Sequence, residues 1–319
     1  MKTIGVLTSG GDAPGMNAAV RAVVRTAISM GMNVKGIYRG YNGLMEGDIE
    51  DLDIRSVSGV INRGGTFLYS ARSPRFKEEE GVLAAVENCK KFGIEGIAVV
   101  GGDGSFRGAR DLSNHGIPCV GIPGTIDNDI ASTEYTIGFD TAMNTAVEMV
   151  DKLRDTTQSH DRCSVVEVMG RHAGHLALQT GIAVGATAIL VPEVEHSVKE
   201  VVEKIHRAKK NGKNHFIIIV AEGIGGVEEM AKEIEAKTGI ETRATILGHV
   251  QRGGNPSVRD RVIATRMGNE AVHLLSQGIG NRVVSYKGDK IVNYDIFEAL
   301  NMKKEIDADM IRVAEETTI

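Results

Sequence analysis

The sequence predicts an α/β fold with two doubly wound domains whose sheets are largely parallel. Short apolar runs repeatedly end in glycine and are followed by helical spacing, which is typical of a buried parallel strand that feeds a helix. The 39 glycines are about 12% of the 319 residues, against a usual level of about 7%. The strands are too numerous for one comfortable sheet, so we expect two domains.

The predicted strands alternate with helices along the chain, which indicates parallel sheets covered on both faces. The strands are expected at residues 4–7, 34–38, 97–100, 119–122, 164–168, 189–191, 216–221 and 245–247. A long helical segment from Asp140 to about Asp155 is expected to cross the join between the domains. Ligands of open α/β sheets bind at the carboxyl ends of the strands, so we expect functional side chains there.

Composition excludes several classes of protein. A net charge of −5 gives no general affinity for nucleic acid or an anionic membrane, and aromatic residues at 4% argue against base-stacking platforms. Three cysteines without paired spacing suit a reducing compartment. The apolar run 216–221 is too short to span a bilayer, and Asp12 comes too early for a signal peptide. We therefore expect a cytoplasmic protein.

The segment Gly101–Ser105 directly follows the apolar run 97–100. Glycines at such a joint let a polyphosphate approach the backbone N–H groups and the positive end of the next helix. The Asp103 carboxylate would be repelled by phosphate unless a divalent cation lay between them. The segment therefore predicts a Mg²⁺-nucleotide site, although a plain strand–helix turn would give the same pattern.

The loop Pro123–Asp129 also follows a predicted strand and holds two carboxylates and a hydroxyl. Phosphoryl transfer to an alcohol requires a base near the accepting hydroxyl and stabilisation of the moving phosphoryl group. Asp127 or Asp129 could be that base. The alternative is a turn in which the acidic side chains accept hydrogen bonds from backbone N–H groups.

Basic side chains stand at other strand ends, often beside glycine, where bidentate phosphate contacts are favoured. They are Arg72, Arg162, Arg171, Arg243, His249 and Arg252. Their number in an acidic protein predicts a substrate that carries at least one phosphate. Glu222, also at a strand end, could accept hydrogen bonds from sugar hydroxyls, or could instead cap a helix or form a salt bridge.

Five segments together resemble, in chain order, the signature segments of the bacterial ATP-dependent 6-phosphofructokinases. They are residues 8–17, Gly101–Ser105, Pro123–Asp129, Met169–Arg171 and Gly248–Gly254, and the resemblance as a whole extends over essentially the entire chain. A Gly-Gly-Asp-Gly turn alone also occurs in lipid kinases and NAD kinases, but the combination is specific. The resemblance implies transfer of the γ-phosphoryl group of Mg-ATP to the 1-hydroxyl of fructose 6-phosphate.

The resemblance also implies a role for each matching residue. Asp127 is expected to be the general base, with Asp129 as the alternative, while Asp103 binds Mg²⁺. Three residues are expected to hold the transferring phosphoryl group: Thr125, Arg171 and Arg72. The expected ATP site consists of Gly11, Arg72, Ser73, Gly102, Asp103, Gly104 and Ser105. The expected fructose 6-phosphate site consists of Thr125, Asp127, Arg162, Met169, Gly170, Arg171, Glu222, Arg243, His249 and Arg252.

The family resemblance further implies a homotetramer in which Arg162 and Arg243 reach into a neighbouring subunit's site. Residues 1–138 and 251–301 are expected to form an ATP-binding domain. Residues 139–250 and 302–319 are expected to form a fructose 6-phosphate-binding domain, with the active site in the cleft between the two.

Two glycines bear on the phosphoryl donor. Pyrophosphate-dependent relatives typically carry Asp where Gly104 stands and Lys where Gly124 stands. Glycine at both positions favours ATP, and a pyrophosphate-dependent phosphofructokinase is the nearest alternative. A dinucleotide dehydrogenase is disfavoured because the first turn lacks Gly-x-Gly-x-x-Gly and the second has Arg107 at the third glycine position.

Arg21 and Arg25 are four residues apart and share one helix face, which could be a merely solvated face. The resemblance places an ADP or phosphoenolpyruvate effector there, together with Arg154, Gly185, Lys213 and His215. Some relatives carry Arg, Glu and Lys at three positions that are Ile54, Thr187 and Asn211 in this chain. We therefore expect weaker or altered effector binding. His175 stands where an Asp is usual, and the sequence does not explain that change.

Overall fold

The protein, described here by a computed structural model of residues 1–318, has the predicted α/β architecture. Its strands are β1 Thr3–Thr8, β2 Asn33–Ile37, β3 Ile49–Leu52, β4 Ile97–Gly101, β5 Cys119–Pro123, β6 Cys163–Val168, β7 Ala188–Leu190, β8 Phe216–Ala221, β9 Thr242–Ile246, β10 Arg282–Lys287 and β11 Lys290–Asp295. Its α-helices are α1 Met16–Ser29, α2 Gly40–Glu46, α3 Glu79–Lys91, α4 Asp103–Asn114, α5 Phe139–Ser159, α6 His175–Ala183, α7 Val198–Lys210, α8 Val227–Thr238, α9 Val258–Ser276, α10 Ile296–Asn301 and α11 Ala308–Thr317. Two short 3-10 helices cover Arg75–Lys77 and Gly248–Arg252.

The chain divides into two compact units. Unit 1 comprises Met1–Ile126, Ile130–Thr141 and Arg252–Lys304, and unit 2 comprises Asp127–Asp129, Ala142–Gln251 and the segment from Glu305 onward. The boundary between Thr141 and Ala142 falls inside α5. The short segment Asp127–Asp129 groups with unit 2, although it follows directly on β5 of unit 1.

Unit 1 is built on a seven-stranded sheet in the order β11-β10-β5-β4-β1-β2-β3. Neighbouring strands are parallel except at the two edges, where β3 and β11 run antiparallel to their partners. Every residue of β4 and β5 is buried, which explains their uninterrupted apolar sequences. Because β1, β4 and β5 are adjacent and parallel, their carboxyl ends meet at one edge of the sheet.

Unit 2 is built on a four-stranded, wholly parallel sheet in the order β7-β8-β6-β9. All six residues of the central strand β8 are buried. The core on one face joins Phe216, Ile218 and Val220 to Ile205 of α7 and Ile234 of α8. The loops after β6 and β8 therefore lie side by side at the carboxyl edge of this sheet.

Each of the eight predicted strands overlaps an observed one. The prediction for residues 245–247 was displaced, since β9 spans Thr242–Ile246. Strands β3, β10 and β11 were missed because they are polar and partly exposed. No helix among residues 1–318 is long and apolar enough to cross a membrane.

Candidate active site

The turn between β4 and α4 is shaped by tight backbone packing. A Cβ atom on Gly101 would lie 2.5 Å from the carbonyl oxygen of Ser9 and 2.4 Å from Ser105 Oγ, so no larger residue fits. The N–H groups of Ser9 and Gly124 donate to the carbonyls of Val100 and Gly101, both at 2.9 Å. These contacts hold three strand ends together around the amino end of α4, where backbone N–H groups attract anions.

Asp103 lies in the first turn of α4, where a carboxylate is favoured by the helix dipole. Its Oδ2 atom is 3.0 Å from Nε of Arg107, and about half of each side chain is exposed. The described residues contain no group of three or more His, Cys, Asp or Glu side chains that could enclose a metal ion. Mg²⁺ in nucleotide sites usually binds one or two carboxylates and otherwise phosphates and water, and the single half-exposed Asp103 fits that pattern.

The remaining residues of the expected ATP site are also in unit 1. Gly104 is exposed, and a Cβ atom there would meet nothing within 4 Å. Arg72 is exposed and Ser73 half-buried in an irregular segment, which is anchored nearby by a hydrogen bond from Ser70 Oγ to the carbonyl of Gly10.

Arg252 belongs to unit 1 and lies beside its first turn. Its Nη1 atom donates to the carbonyl of Asp12 at 3.2 Å and would be 2.7 Å from a Cβ atom on Gly11. Thr125, also in unit 1, is buried, and its carbonyl accepts a hydrogen bond from Thr136 Oγ1 at 2.6 Å.

In unit 2, the structure brings together Asp127 and Arg171. Asp127 is completely buried, and its Oδ2 atom is 3.1 Å from Nε of Arg171, whose side chain is half exposed. Asn128 is left-handed with φ 51°, a conformation that Asn tolerates. Asp129 is half-buried. The pair presents a guanidinium to solvent with a carboxylate held behind it.

The loop Met169–Arg171 after β6 is held by two side chains. Glu222 Oε1 accepts hydrogen bonds from the N–H groups of Gly170, at 3.2 Å, and of Arg171. Gln251 Oε1 accepts from the Met169 N–H at 2.9 Å. Glu222 therefore binds this loop, which neither of the roles considered from sequence anticipates. Gln251 was missed because nothing in the sequence marks an uncharged side chain as a loop anchor.

A further carboxylate stands close to this loop. Burial, and secondarily the negative charge of Glu222, raise the pKa of Glu167. Glu167 lies in β6 opposite Val220 of β8. The polar residue inside an otherwise apolar strand was the only signal of its presence.

Arg162 and Arg243 lie at the amino ends of strands in the same sheet, whereas Arg171 follows the carboxyl end of β6. Arg162 precedes β6, and Arg243 is the second residue of β9, paired with Ser164 of β6. Glu241 joins the two: its carboxylate is 2.8 Å from Arg162 Nε and accepts from Arg243 at 2.8 and 3.0 Å. Hydrogen bonds from Arg162 and then Arg243 lower the pKa of Glu241.

The expected effector residues of unit 2 form a positive cluster. Arg154 donates to the carbonyl of Val184, next to Gly185 with φ 57°. Burial and then the charge of Arg154 lower the pKa of Lys213; burial, then Lys213 and Arg154, lower the pKa of His215. Thr187 is buried two residues after Gly185, Asn211 is the C-cap residue that follows α7, and His175 begins α6. Nothing in the structure explains His175.

The other expected effector residues belong to unit 1. Arg21 and Arg25 stand one turn apart on α1, half-buried and exposed respectively, and Ile54 is 47% exposed.

Two further residues of the expected fructose 6-phosphate site lie in unit 2. Met169 is buried, and His249 is exposed in the 3-10 helix Gly248–Arg252.

Comparison with known proteins points to one family. The sequence profile described as phosphofructokinase matches residues 3–275. The chain is 56% identical over 319 residues to the ATP-dependent 6-phosphofructokinase of Bacillus pumilus and 55% identical to that of Bacillus velezensis, covering 100% of each chain in both cases.

Solved structures agree with this result. Phosphofructokinase from Saccharomyces cerevisiae superposes with a TM-score of 0.89 at 36% identity, over 100% of this chain and 48% of that one. A pyrophosphate-dependent phosphofructokinase from Marinobacter aquaeolei gives a TM-score of 0.86 at 22% identity, over 97% of this chain and 86% of that one. The second likeness concerns the fold alone.

Proposed function

The chain belongs to the phosphofructokinase family, and we propose that it transfers the γ-phosphoryl group of Mg-ATP to the 1-hydroxyl of fructose 6-phosphate. The products are ADP and fructose 1,6-bisphosphate. The observation that carries the proposal is the buried Asp127 carboxylate paired at 3.1 Å with Arg171. Phosphoryl transfer to an alcohol needs such a base beside a positive group.

Unit 1 binds ATP in this proposal. The polyphosphate lies against the amino end of α4 and the glycine turns, with Arg72 and Ser73 on the neighbouring segment. Asp103 holds Mg²⁺, which supplies charge neutralisation on the phosphates when bound. The ion pair with Arg107 keeps the Asp103 side chain oriented along α4 before the nucleotide binds.

Unit 2 binds fructose 6-phosphate. Asp127 accepts the proton of the sugar 1-hydroxyl while the oxygen of that hydroxyl bonds to the γ-phosphorus. The bond between the γ-phosphorus and the bridging oxygen breaks, and ADP leaves. Arg171 stabilises negative charge on the transferring phosphoryl group, with Thr125 and Arg72 as further donors. Met169, Gly170, Glu222 and His249 of unit 2 orient the sugar, and the family resemblance assigns Arg252 of unit 1 to the same task. Asp129 is the alternative base.

Arg162 and Arg243 complete the substrate site of a neighbouring subunit. Strand β6 has six residues and spans roughly 20 Å, since parallel strands rise about 3.3 Å per residue. The two arginines stand at its amino end and Arg171 follows its carboxyl end, so one hexose phosphate cannot contact both groups of the same chain. This separation supports active sites that are shared between subunits. We place them in a homotetramer, and the protein in the cytoplasm, on the family resemblance alone.

The cluster of Arg154, Lys213 and His215, with Gly185 and with Arg21 and Arg25 of α1, binds an anionic effector such as ADP or phosphoenolpyruvate. Lys213 and His215 have lowered pKa values because burial and neighbouring cations disfavour their charged forms, and a bound anion relieves this. Ile54, Thr187 and Asn211 supply no charge, so regulation is weaker than with charged residues there.

The phosphoryl donor is the point that most needs an experiment. A Cβ atom on Gly124 would approach Met16 and Val100 to 3.2 Å, so a lysine there would require both side chains to shift. Gly104 leaves open space beside the amino end of α4. Purified protein should form fructose 1,6-bisphosphate in a coupled assay with Mg-ATP and not with pyrophosphate. Turnover with pyrophosphate alone would replace this proposal by the pyrophosphate-dependent reaction.

A further inference from the structure

The loop that carries Arg171 has a backbone conformation that its own sequence does not secure. Gly170 has φ 142° and Arg171 has φ 54°, so two consecutive residues are at positive φ. For a residue with a Cβ atom such as Arg171, the left-handed region is energetically unfavourable. The Ala173 N–H closes a turn on the Gly170 carbonyl at 3.0 Å, but this turn does not restrain the peptide of Met169.

Gln251 supplies that restraint from another element. Its Oε1 atom accepts from the Met169 N–H at 2.9 Å, and the whole residue is buried. Its Nε2 atom is buried as well and makes no hydrogen bond within residues 1–318. A buried donor without a partner destabilises the fold, and an apolar side chain of the same size would avoid that cost. The acceptor oxygen is therefore the atom of this amide that contributes to the structure.

Glu222 also holds the Met169–Arg171 loop, but it has a second proposed role in binding the sugar. Its Oε1 atom accepts from the Gly170 and Arg171 N–H groups, while the proposed function also assigns its carboxylate to sugar hydroxyls. When Glu222 turns toward a substrate, the Gln251 contact continues to hold the loop. Gln251 is uncharged and enclosed, so its contact is indifferent to the charge of the incoming phosphate.

We infer that Gln251 is a positioning residue that fixes the Met169 peptide and thereby directs Arg171 toward Asp127. The inference rests on the proposed function for its kinetic consequence. The hydrogen bond that Gln251 accepts comes from the Met169 N–H, so in this inference it acts through the loop.

Replacement of Gln251 by Met tests this, because Met has nearly the same length and no acceptor oxygen for the N–H group. We expect Gln251→Met to lower kcat about tenfold, the effect of one neutral hydrogen bond near its upper range. Thr157→Val is the matched control. Thr157 is equally buried in unit 2 and hydrogen-bonds Leu153 and Ser164 near the amino end of β6, far from the loop.

A double-mutant cycle separates positioning from general loss of structure. If Gln251 acts through Arg171, Gln251→Met should have no further effect on kcat in an Arg171→Ala background. Thr157→Val should leave kcat within about twofold in either background. Effects of Gln251→Met that multiply with those of Arg171→Ala, or an unchanged kcat in the single variant, would overturn the inference.

Two additions keep the test independent of folding and of the proposed function. Gln251→Glu retains an acceptor oxygen whether or not its carboxyl group is protonated, and it should recover part of the kcat that Gln251→Met loses. Amide hydrogen exchange should accelerate at Met169–Arg171 in Gln251→Met and not in Thr157→Val, even if the parent fails to phosphorylate fructose 6-phosphate. Unchanged exchange at this loop would refute the positioning role, whereas an inactive parent would refute only the proposed function.

Discussion

In the four-stranded sheet of unit 2, arginines are paired with a carboxylate at both ends of the strands, but the two carboxylates differ in burial. We call the side where the strands end the carboxyl edge and the side where they begin the amino edge. At the carboxyl edge, Arg171 pairs with Asp127, whose side chain is 0% exposed. At the amino edge, Arg162 and Arg243 share Glu241, whose side chain is 47% exposed. Attraction between charges is much stronger away from water, so the first pair is fixed and the second can exchange its carboxylate for another anion.

This difference in burial indicates that the Asp127–Arg171 pair serves catalysis and that the arginines beside Glu241 serve substrate binding. A base must be held still against the reacting hydroxyl, and burial does this for Asp127. A phosphate-binding pair must release its internal partner when substrate arrives, and an exposed carboxylate such as Glu241 can be displaced at little cost. The buried pair is therefore expected to control turnover, and the exposed cluster to control affinity.

The largest expected effect comes from removing the buried carboxylate. Asp127→Ser should keep the fold and ATP binding but lower kcat by about 10²–10⁴-fold, the usual consequence of losing a general base. Asp129→Asn, two residues along the same loop, is the control and should lose far less. If Asp129→Asn instead shows the larger loss, Asp129 is the general base. The claim that the buried Asp127–Arg171 pair controls turnover is then wrong.

A smaller effect, on a different kinetic constant, should follow at the exposed edge. Arg243→Ala should raise KM for fructose 6-phosphate about tenfold, since a hydrogen bond to a charged group is lost, and should leave kcat within about threefold. Lys237→Ala makes a suitable comparison, because Lys237 is another surface cation of unit 2 whose ion pair, with Glu233, lies within α8. A fall in kcat with KM unchanged would mean that Arg243 acts on the chemical step.

The smallest effect concerns Glu241 itself. Its charge competes with phosphate for both arginines, so Glu241→Gln should lower KM for fructose 6-phosphate about two- to threefold at low salt, and less at high salt. An unchanged KM at low salt, or a higher one, would show that Glu241 orders the arginines rather than competing for them.

The same carboxylate predicts a dependence of stability on pH. The arginines lower the pKa of Glu241 in the folded protein, so the stabilisation is complete above the ordinary glutamate pKa of about 4.5 and disappears as the pH falls through the lowered value. Melting temperatures of the parent and Glu241→Gln should therefore differ at neutral pH and converge as the pH falls through the lowered pKa of Glu241. A difference in melting temperature that persists to lower pH would place the contribution of Glu241 elsewhere.

Local sequence was sufficient for much of this architecture. The continuous apolar runs of β4, β5 and β8 reflect burial on both faces, and glycines mark the turns that follow them. The half-exposed strands β3, β10 and β11 gave no such pattern. Strand boundaries were harder to predict, since β9 begins at Thr242, three residues before the predicted start at residue 245.

Residues that act through another residue were the hardest to predict. Asp127 and Arg171 belong to segments with a recognisable chemical pattern. Glu241, Glu167 and Gln251 acquire their roles only when strands distant in sequence become neighbours. Glu241 precedes β9, yet its partner Arg162 precedes β6, and the pairing of Cys163 with Thr242 is what brings them together. No spacing within either segment announces that contact.

The central claim is that the carboxyl edge and the amino edge of the unit 2 sheet contribute to the active sites of two different subunits. Mixing of subunits tests this claim most directly. Asp127→Ser and Arg243→Ala each damage a different contributor to a shared site. Subunits of the two variants, unfolded together and reassembled, should regenerate intact sites, about one quarter of the total for random mixing in equal amounts. With fructose 6-phosphate well below the KM of either variant, activity clearly above that of either variant alone is the predicted result. Hybrids that form but recover no activity would contradict shared sites.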